Sequence, residues 1–351
     1  MLIPAAISLL VSTLVLNLGL SFNAPAPVNA VQAEGGRVLG VVEYNAPGII
    51  GVESGGNFNQ AVIRVIEGAM SLPLPRLPQP PALDQPLSQL PENQDKTAPA
   101  AVDFDLDAAN GVVFDLSGDN LFFSQRPDRP WPIASITKLF TAYTFLDFNP
   151  GWDTPYTIKA EDRREGGKIY LFNGDTVTIK DLFYFSLVGS DNTATAALVH
   201  AAGFSESEFA RKMNDKIKEL GLKNTRFADV TGLTENNVST AREVARFAKI
   251  ALDVPDINLA TLTKQYEFVT GQGKRKIINS TDRLLDVFPE NGIAITGGKT
   301  GFINASGYCL VSRFKNDDGQ EIITVVLGAD SEAGRFNATK QLVELYYGGG
   351  Q

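Results

Sequence analysis

The sequence predicts an α+β fold in which one antiparallel sheet carries helices and a helical stretch lies in the middle of the chain. Three observations predict it. Apolar runs at Gly111–Asp115 and Leu121–Ser124 flank Ser117-Gly118-Asp119-Asn120, the pattern of a β-hairpin. Far along the chain, Gly307–Ser312 and Ile322–Leu327 flank Asp317-Asp318-Gly319, a second hairpin. Between them, apolar residues recur at helical spacing. The simplest arrangement joins both strand groups in one sheet, packs the terminal helices on it and sets the middle helices apart.

The middle helices carry their own start and stop signals. Ile179–Val188 is a helical apolar run that ends at Gly189-Ser190-Asp191-Asn192, where a second helix begins and runs to about Ala202. Ser205 and Glu208 form a capping box ahead of Phe209, Met213, Ile217 and Leu220, with Gly221 as the stop. Thr240 and Glu243 open another helix, with Val244, Phe247, Ala248 and Ala251 inward. Ile293–Thr296 then reads as a strand leading into Gly297-Gly298-Lys299-Thr300-Gly301. Gly334–Tyr347 reads as a closing amphipathic helix.

Ahead of the first hairpin the chain has no globular pattern. Leu2–Phe22 carries no charged side chain and is long enough to span a bilayer. Val28-Asn29-Ala30 and Val31-Gln32-Ala33 both suit cleavage after small residues. Residues 1–33 therefore read as a cleaved signal or an uncleaved membrane anchor, and either one exports the rest. Residues 34–100 form a Gly-rich and then Pro-rich tether, with eight prolines from Pro73 to Pro99, and 101–351 form the globular domain. Asp103, Asp105 and Asp107 alternate like a calcium loop. They lack its Gly, which is Ala108 here, and its closing Glu, which is Phe114.

Composition narrows the chemistry. A net charge of −9 and a pI near 4.8 exclude a general nucleic-acid binder, which needs a basic face. There is one cysteine, Cys309, and one histidine, His200. No intramolecular disulfide can form, and a His/Cys zinc site lacks ligands. Cys309 lies within a strand and His200 within the apolar run Ala197–Ala202, so both read as packed core residues. Hydrolytic chemistry must find a base other than histidine.

One such base stands three residues from a hydroxyl. Pro132 reads as a helix start, which puts Ser135 in the first turn, where free N–H groups favour developing negative charge. Lys138 then sits over the same helix face. About one Ser-x-x-Lys is expected by chance in a chain of this length, and a capping serine with a surface lysine would look the same. The pair gains meaning from Ser190-Asp191-Asn192 in a helix–helix turn and Lys299-Thr300-Gly301 on a strand. Alone these would read as a helix cap and a tight turn. The ordered triple is much rarer than any member.

With these residues the sequence resembles the penicillin-recognising serine D,D-peptidases, above all the low-molecular-weight D-alanyl-D-alanine carboxypeptidases. The likeness runs from Ala101 to Tyr347. It takes in Pro132–Ala142, Gly232-Leu233 with Ser239-Thr240-Ala241, Lys299–Phe302 with Gly307–Val311, and Gly334-Arg335-Phe336. Three features depart from the family. The middle motif is Ser-Asp-Asn where these carboxypeptidases more often have Ser-Gly-Asn. Val238 stands where a histidine is usual. The sequence ends past the closing helix, where the family often continues into a β-rich domain and an amphipathic anchor, so membrane attachment is expected from the N-terminal segment.

The resemblance implies the serine β-lactamase/D,D-peptidase-like fold: an antiparallel five-stranded sheet flanked by helices, plus an all-helical subdomain. It implies a penicillin-sensitive carboxypeptidase of the cell envelope acting on peptidoglycan stem peptides that end in D-Ala-D-Ala, with β-lactams as acylating inhibitors and no cofactor or metal. Ser135 would attack the D-Ala-D-Ala carbonyl and Lys138 would be the base, its charge disfavoured by burial and by Lys299. Ser190 would relay a proton. Asn192 would bond the acyl-side peptide, and Asp191 would point away and support the turn. Lys299 and Thr300 would receive the terminal carboxylate and Gly301 would let the strand come close to the substrate, with Arg335 as a second carboxylate contact or else a surface helix residue. The N–H groups of Ser135 and Phe302 would form the oxyanion hole.

Three other readings compete. One is a D,D-endopeptidase on crosslinks. A class A-like β-lactamase needs a Glu-x-x-x-Asn pentad after the middle motif. None occurs, and Glu235 lies at the wrong spacing from Asn236 and Asn237. A non-catalytic cell-wall binding module would not need the intact Ser135, Lys138, Ser190, Asn192 and Lys299.

Overall fold

The computed structural model describes residues 104–348 and, separately, a two-residue antiparallel ladder of Ala33–Glu34 with Arg37–Val38. Those four positions aside, the expected leader and tether lie outside the described residues, as does Asp103. No described helix is long and apolar enough to cross a membrane.

Both predicted hairpins form. Strands β1 (Asn110–Asp115) and β2 (Asn120–Gln125) make the first. Strands β3 (Ile293–Ile303), β4 (Gly307–Asn316) and β5 (Glu321–Ala329) make a meander. They join in one antiparallel five-stranded sheet, ordered β3-β4-β5-β1-β2, in which Val325 pairs with Val112 and Lys299 with Val311. The fold is thus α+β, as the sequence predicts. Because strand side chains alternate, β5 can bury both faces. Ile323, Val325 and Leu327 face one apolar cluster, while Ile322 and Val326 face another.

The closing helix α1 (Glu332–Tyr347) covers the second face with Phe336, Ala338, Leu342 and Val343. The first face does not carry a separate sheet core. It shares one cluster with the middle helices, and the helix Ala241–Ala251 packs directly against β1 and β5. The middle helices are therefore less set apart than expected. The reason is burial: Val244, Phe247, Ala248 and Ala251 form a stripe that needs a second apolar surface, and the sheet supplies it.

Local signals held where they were chemical. The Ser205–Glu208 capping box starts the helix Glu206–Glu219. Gly221, at φ +71°, ends it with N–H bonds from Gly221 to Lys218 O and from Leu222 to Ile217 O. Thr240 caps its helix through Glu243 N–H, but the Glu243 carboxylate turns to Asn224 and Thr225 instead of closing the box. The sequence reading passed over several elements, among them the strand pair Pro155–Thr157/Thr176–Thr178, the helix Pro255–Leu262, with Pro255 in its first turn, and the hairpin Gln265–Val269/Arg275–Asn279. Its first strand alternates, with Tyr266 and Phe268 half-buried between exposed Gln265, Glu267 and Val269, but it is only five residues long, and the second strand, Arg275–Asn279, does not alternate.

Candidate active site

Ser135 does not sit in the first turn of an α-helix. Trp131–Pro132 is a short strand paired with Val238–Ser239, Ala134–Ile136 is a 3₁₀ turn, and the α-helix runs Thr137–Phe145. Proline suits the strand because it has no N–H to donate. Ala134, at φ +46°, then breaks the path into a regular helix. Ser190, at φ +58°, is also left-handed. Non-glycine residues held this way cost about 1–3 kcal/mol each and persist where packing dictates them.

Lys138 is fully buried. Its Nζ lies 3.0 Å from Ser135 Oγ, 2.7 Å from Asn192 Oδ1 and 2.6 Å from the Thr231 carbonyl oxygen. Asn192 Nδ2 donates to Gly166 O at 2.9 Å, which fixes the amide so that its oxygen faces the lysine. Two of the three groups around Nζ can thus only accept. In the neutral amine both N–H bonds go to them, and the lone pair faces the Ser135 hydroxyl. Burial lowers the Lys138 pKa to about 7, against the raising fields of Asp229 and Asp191. Burial, with the fields of Lys138 and Arg335, likewise holds Lys299 well below the ordinary lysine range, and the repulsion between the two amines is mutual.

Lys299 Nζ donates to Ser190 Oγ at 2.9 Å and to Thr300 O at 3.0 Å. The Thr300 hydroxyl lies 2.5 Å from that of Thr281. A Cβ on Gly301 would come within 2.8 Å of Ile133 O and 3.1 Å of Ser135 N, so strand β3 passes too close to the Ser135 turn for any side chain there. Arg335 is not a surface residue. It is buried and donates from Nη1 to Gly301 O at 3.1 Å. Helix position alone suggested exposure, but α1 turns this side toward β3.

Asp191 supports the turn as expected, with Oδ1 accepting from Ala194 N–H at 2.7 Å. Burial raises its pKa to about 6. The Asn192 side chain bridges Lys138 and Gly166, and its Nδ2 keeps a second N–H beyond the one given to Gly166 O. His200 is satisfied by Asp162, with Nδ1 2.5 Å from Oδ1, and Cys309 is buried in β4. No acidic or His/Cys cluster able to hold a metal ion occurs among the described residues.

Ser135, Ser190, Asn192, Thr300, Gly301, Phe302 and Arg335 line one open cleft of about 950 Å³. Lys138 and Lys299 lie beneath its floor. Residues 279–281 from the overlooked hairpin and the loop after it form part of the rim, as does the exposed Glu235. Sequence reasoning missed Thr231, Asp229 and Thr281, which carry no motif of their own and lie far in sequence from the side chains they serve.

A family model described as D-alanyl-D-alanine carboxypeptidase matches residues 94–331. The chain is 35% identical over 243 residues to the D-alanyl-D-alanine endopeptidase of Haemophilus influenzae, covering 68% of this chain and 82% of that one. It is 33% identical over 230 residues to the D-alanyl-D-alanine endopeptidase of Escherichia coli, covering 64% and 73%. Among solved structures it is similar to a penicillin-binding protein of Listeria monocytogenes in its cefotaxime-bound form. The TM-score is 0.59 and the identity 26%, over 69% of this chain and 98% of that one.

Proposed function

The chain belongs to the D-alanyl-D-alanine carboxypeptidase family of serine peptidases, and from that membership we propose that Ser135 is its nucleophile and Lys138 its general base. It is a D-Ala-D-Ala peptidase of peptidoglycan in the cell envelope, and a penicillin-binding protein. One observation carries the assignment of roles: the Lys138 amine is buried, and its two acceptor-only neighbours leave the lone pair to Ser135.

In this mechanism Ser135 Oγ attacks the carbonyl of the penultimate D-Ala while its proton passes to Lys138 Nζ. The oxyanion rests on the N–H groups of Ser135 and Phe302, worth about 3–4 kcal/mol each in comparable sites. The carbonyl–nitrogen bond then breaks. The leaving nitrogen takes the proton from Lys138 by way of Ser190, and the terminal carboxylate is held by Lys299, Thr300 and Arg335. Water clears the ester by the same path in reverse, returning the proton to Ser135. In this reading Asn192 bonds the acyl-side peptide with the second N–H of Nδ2, the first being given to Gly166 O.

Intact-mass spectrometry after benzylpenicillin tests the reading. The expected result is a long-lived adduct that peptide mapping places on Ser135. Fast turnover without an adduct would mean the β-lactamase reading, and neither adduct nor turnover would mean a binding module.

A second reading, cleavage of crosslinks, is favoured by the two endopeptidase relatives and by the cleft itself. Beyond Arg335 the cleft lining continues to Glu332 and Arg283. Glu332 Oε1 lies 3.7 Å from Arg335 Nη2 and 3.2 Å from Arg283 Nη2. A terminal D-Ala ends at the carboxylate anchor. The leaving strand of a crosslink continues past it, to where Arg283 stands exposed. Arg283→Ala is expected to slow cleavage of a crosslinked muropeptide dimer about fivefold, the scale of one exposed charge contact. Release of D-Ala from a pentapeptide should stay within about twofold. Equal slowing of both would remove the distinction.

We infer that residues 1–33 direct export and that 34–100 space the catalytic domain 101–351 from the membrane. The apolar stretch Leu2–Phe22 and the proline run support this. The mass of the exported protein decides between cleavage near Ala30 or Ala33 and retention of the segment as an anchor.

A further inference from the structure

Two acceptors aim the lone pair of Lys138. One, the Asn192 amide, belongs to a helix and is tied to Gly166. The other is the carbonyl of Thr231, on a stretch outside any helix or strand. A backbone carbonyl there can turn unless something grips the peptide groups on either side of it.

A single carboxylate grips them. Asp229 Oδ1 accepts from Thr231 N at 2.6 Å, from Thr231 Oγ1 at 2.9 Å and from Gly232 N at 2.6 Å, and Oδ2 accepts from Thr234 N at 2.9 Å. The N–H groups of residues 231 and 232 flank the Thr231 α-carbon and carbonyl, so both peptide planes are pinned to one side chain. Four donors on two oxygens is the pattern of an ionised, acceptor-only carboxylate. Asp229 is anchored in turn by Asn237, whose Oδ1 accepts from Asp229 N at 3.1 Å and whose Nδ2 donates to Asp229 O at 2.9 Å. The same Nδ2 donates to Thr137 Oγ1 at 3.1 Å, one residue before Lys138. Thr141, one helical turn beyond Thr137, donates to Val230 O at 2.6 Å. At Gly232, φ is +86° and a Cβ would lie 2.0 Å from Ala134 O, so the segment lies directly on the nucleophile turn.

We propose that Asp229 is a positioning residue of the acyl-transfer reaction: it holds the Thr231 carbonyl on Lys138 Nζ and so directs the amine lone pair at Ser135. This role rests on Lys138 being the base. The charged groups that face Lys138 are Asp229, Asp191 at the start of the next helix, and Lys299 across the cleft floor. Of the charges that oppose the effect of burial on Lys138, Asp229 acts most strongly. Asp229 therefore has two separable effects, a mechanical one through its hydrogen bonds and an electrostatic one through its charge.

The test compares Asp229→Asn with Asp229→Ala in the full chain, reading the acylation rate by a chromogenic β-lactam against pH. Asparagine keeps an oxygen for Thr231 and Gly232 but removes the charge. The rising limb should move to lower pH by about half a unit or more, because the raising field is gone. Its plateau should fall only a few-fold, and KM for a pentapeptide should stay near that of the unmodified protein. Alanine also removes the brace, so kcat should fall about 10- to 100-fold, with asparagine in between, the scale of a small misplacement of reacting groups. A pH limb that stays in place in Asp229→Asn while only the Tm falls would overturn the proposal and leave Asp229 a purely structural residue. If Asp229→Ala does not fold, the limb of Asp229→Asn decides alone. Failure of the base assignment is distinguishable: the unmodified protein would then show no limb near pH 7.

Discussion

Ser135→Ala is expected to abolish both release of D-Ala from a pentapeptide and formation of a benzylpenicillin adduct. The rate should fall by at least about 10⁴-fold, the scale seen when a serine nucleophile is removed from a preorganised site. The size follows from the absence of a substitute. His200 is committed to Asp162, and Cys309 is buried in β4 with its pKa pushed up to about 11 by burial. Ser190 Oγ accepts from Lys299 Nζ, while Lys138 Nζ bonds Ser135. The variant should fold, because the Ser135 hydroxyl is partly exposed and its recorded bond is the one from Lys138. Unchanged thermal stability with no adduct by intact mass is the outcome to look for. An adduct of undiminished stoichiometry on the alanine variant would place the nucleophile elsewhere.

Lys138→Arg should be nearly as damaging, slowing acylation by about 10²–10⁴-fold, the range of a lost general base. A guanidinium stays protonated throughout the accessible pH range, so it can donate to Asn192 Oδ1 and Thr231 O but cannot take the Ser135 proton. The unmodified protein supplies the matching pH signature. With Lys138 as the proposed base, its working form is the neutral amine. Acylation therefore rises with pH through about 7 and levels off above it, and protonation removes the base below. An exposed lysine would place that limb more than three units higher. Stopped-flow acylation across pH 5 to 10 with both proteins checks this. A limb near 7 that survives in Lys138→Arg would assign it to another group. Lys138→Met serves as a second control, and it should also lose stability. It leaves two buried acceptors without a donor, at about 1–3 kcal/mol each.

The sequence alone determined those features whose causes lie within a few residues. Alternating apolar residues around Asp317-Asp318-Gly319 require a hairpin because strand side chains repeat every two residues. Ser205 with Glu208, and Gly221, start and stop a helix because their bonds are to the backbone beside them. Ser135 and Lys138 share a face because the turn between them is tight, whether 3₁₀ or α. Ser190, Asn192 and Lys299 were recognisable because their motifs recur as short strings.

Only the tertiary structure decided what those residues are worth. Lys138 and Lys299 lose their ordinary basicity because burial removes water from both, and burial depends on packing between elements more than 100 residues apart. Arg335 is inside and not outside because α1 packs on β4 and β5 and this side chain reaches Gly301 of β3. Ser135 stands on a 3₁₀ turn because Pro132 pairs with Val238, a contact that no local pattern around Pro132 announces. Asp229 and Thr231 reached the site unseen for the same reason. A carboxylate that binds a loop's own N–H groups looks like any turn residue until that loop is laid against the turn that carries Ser135. Local bonding chemistry is written in short stretches of sequence, whereas desolvation and the direction of a lone pair belong to the assembled core.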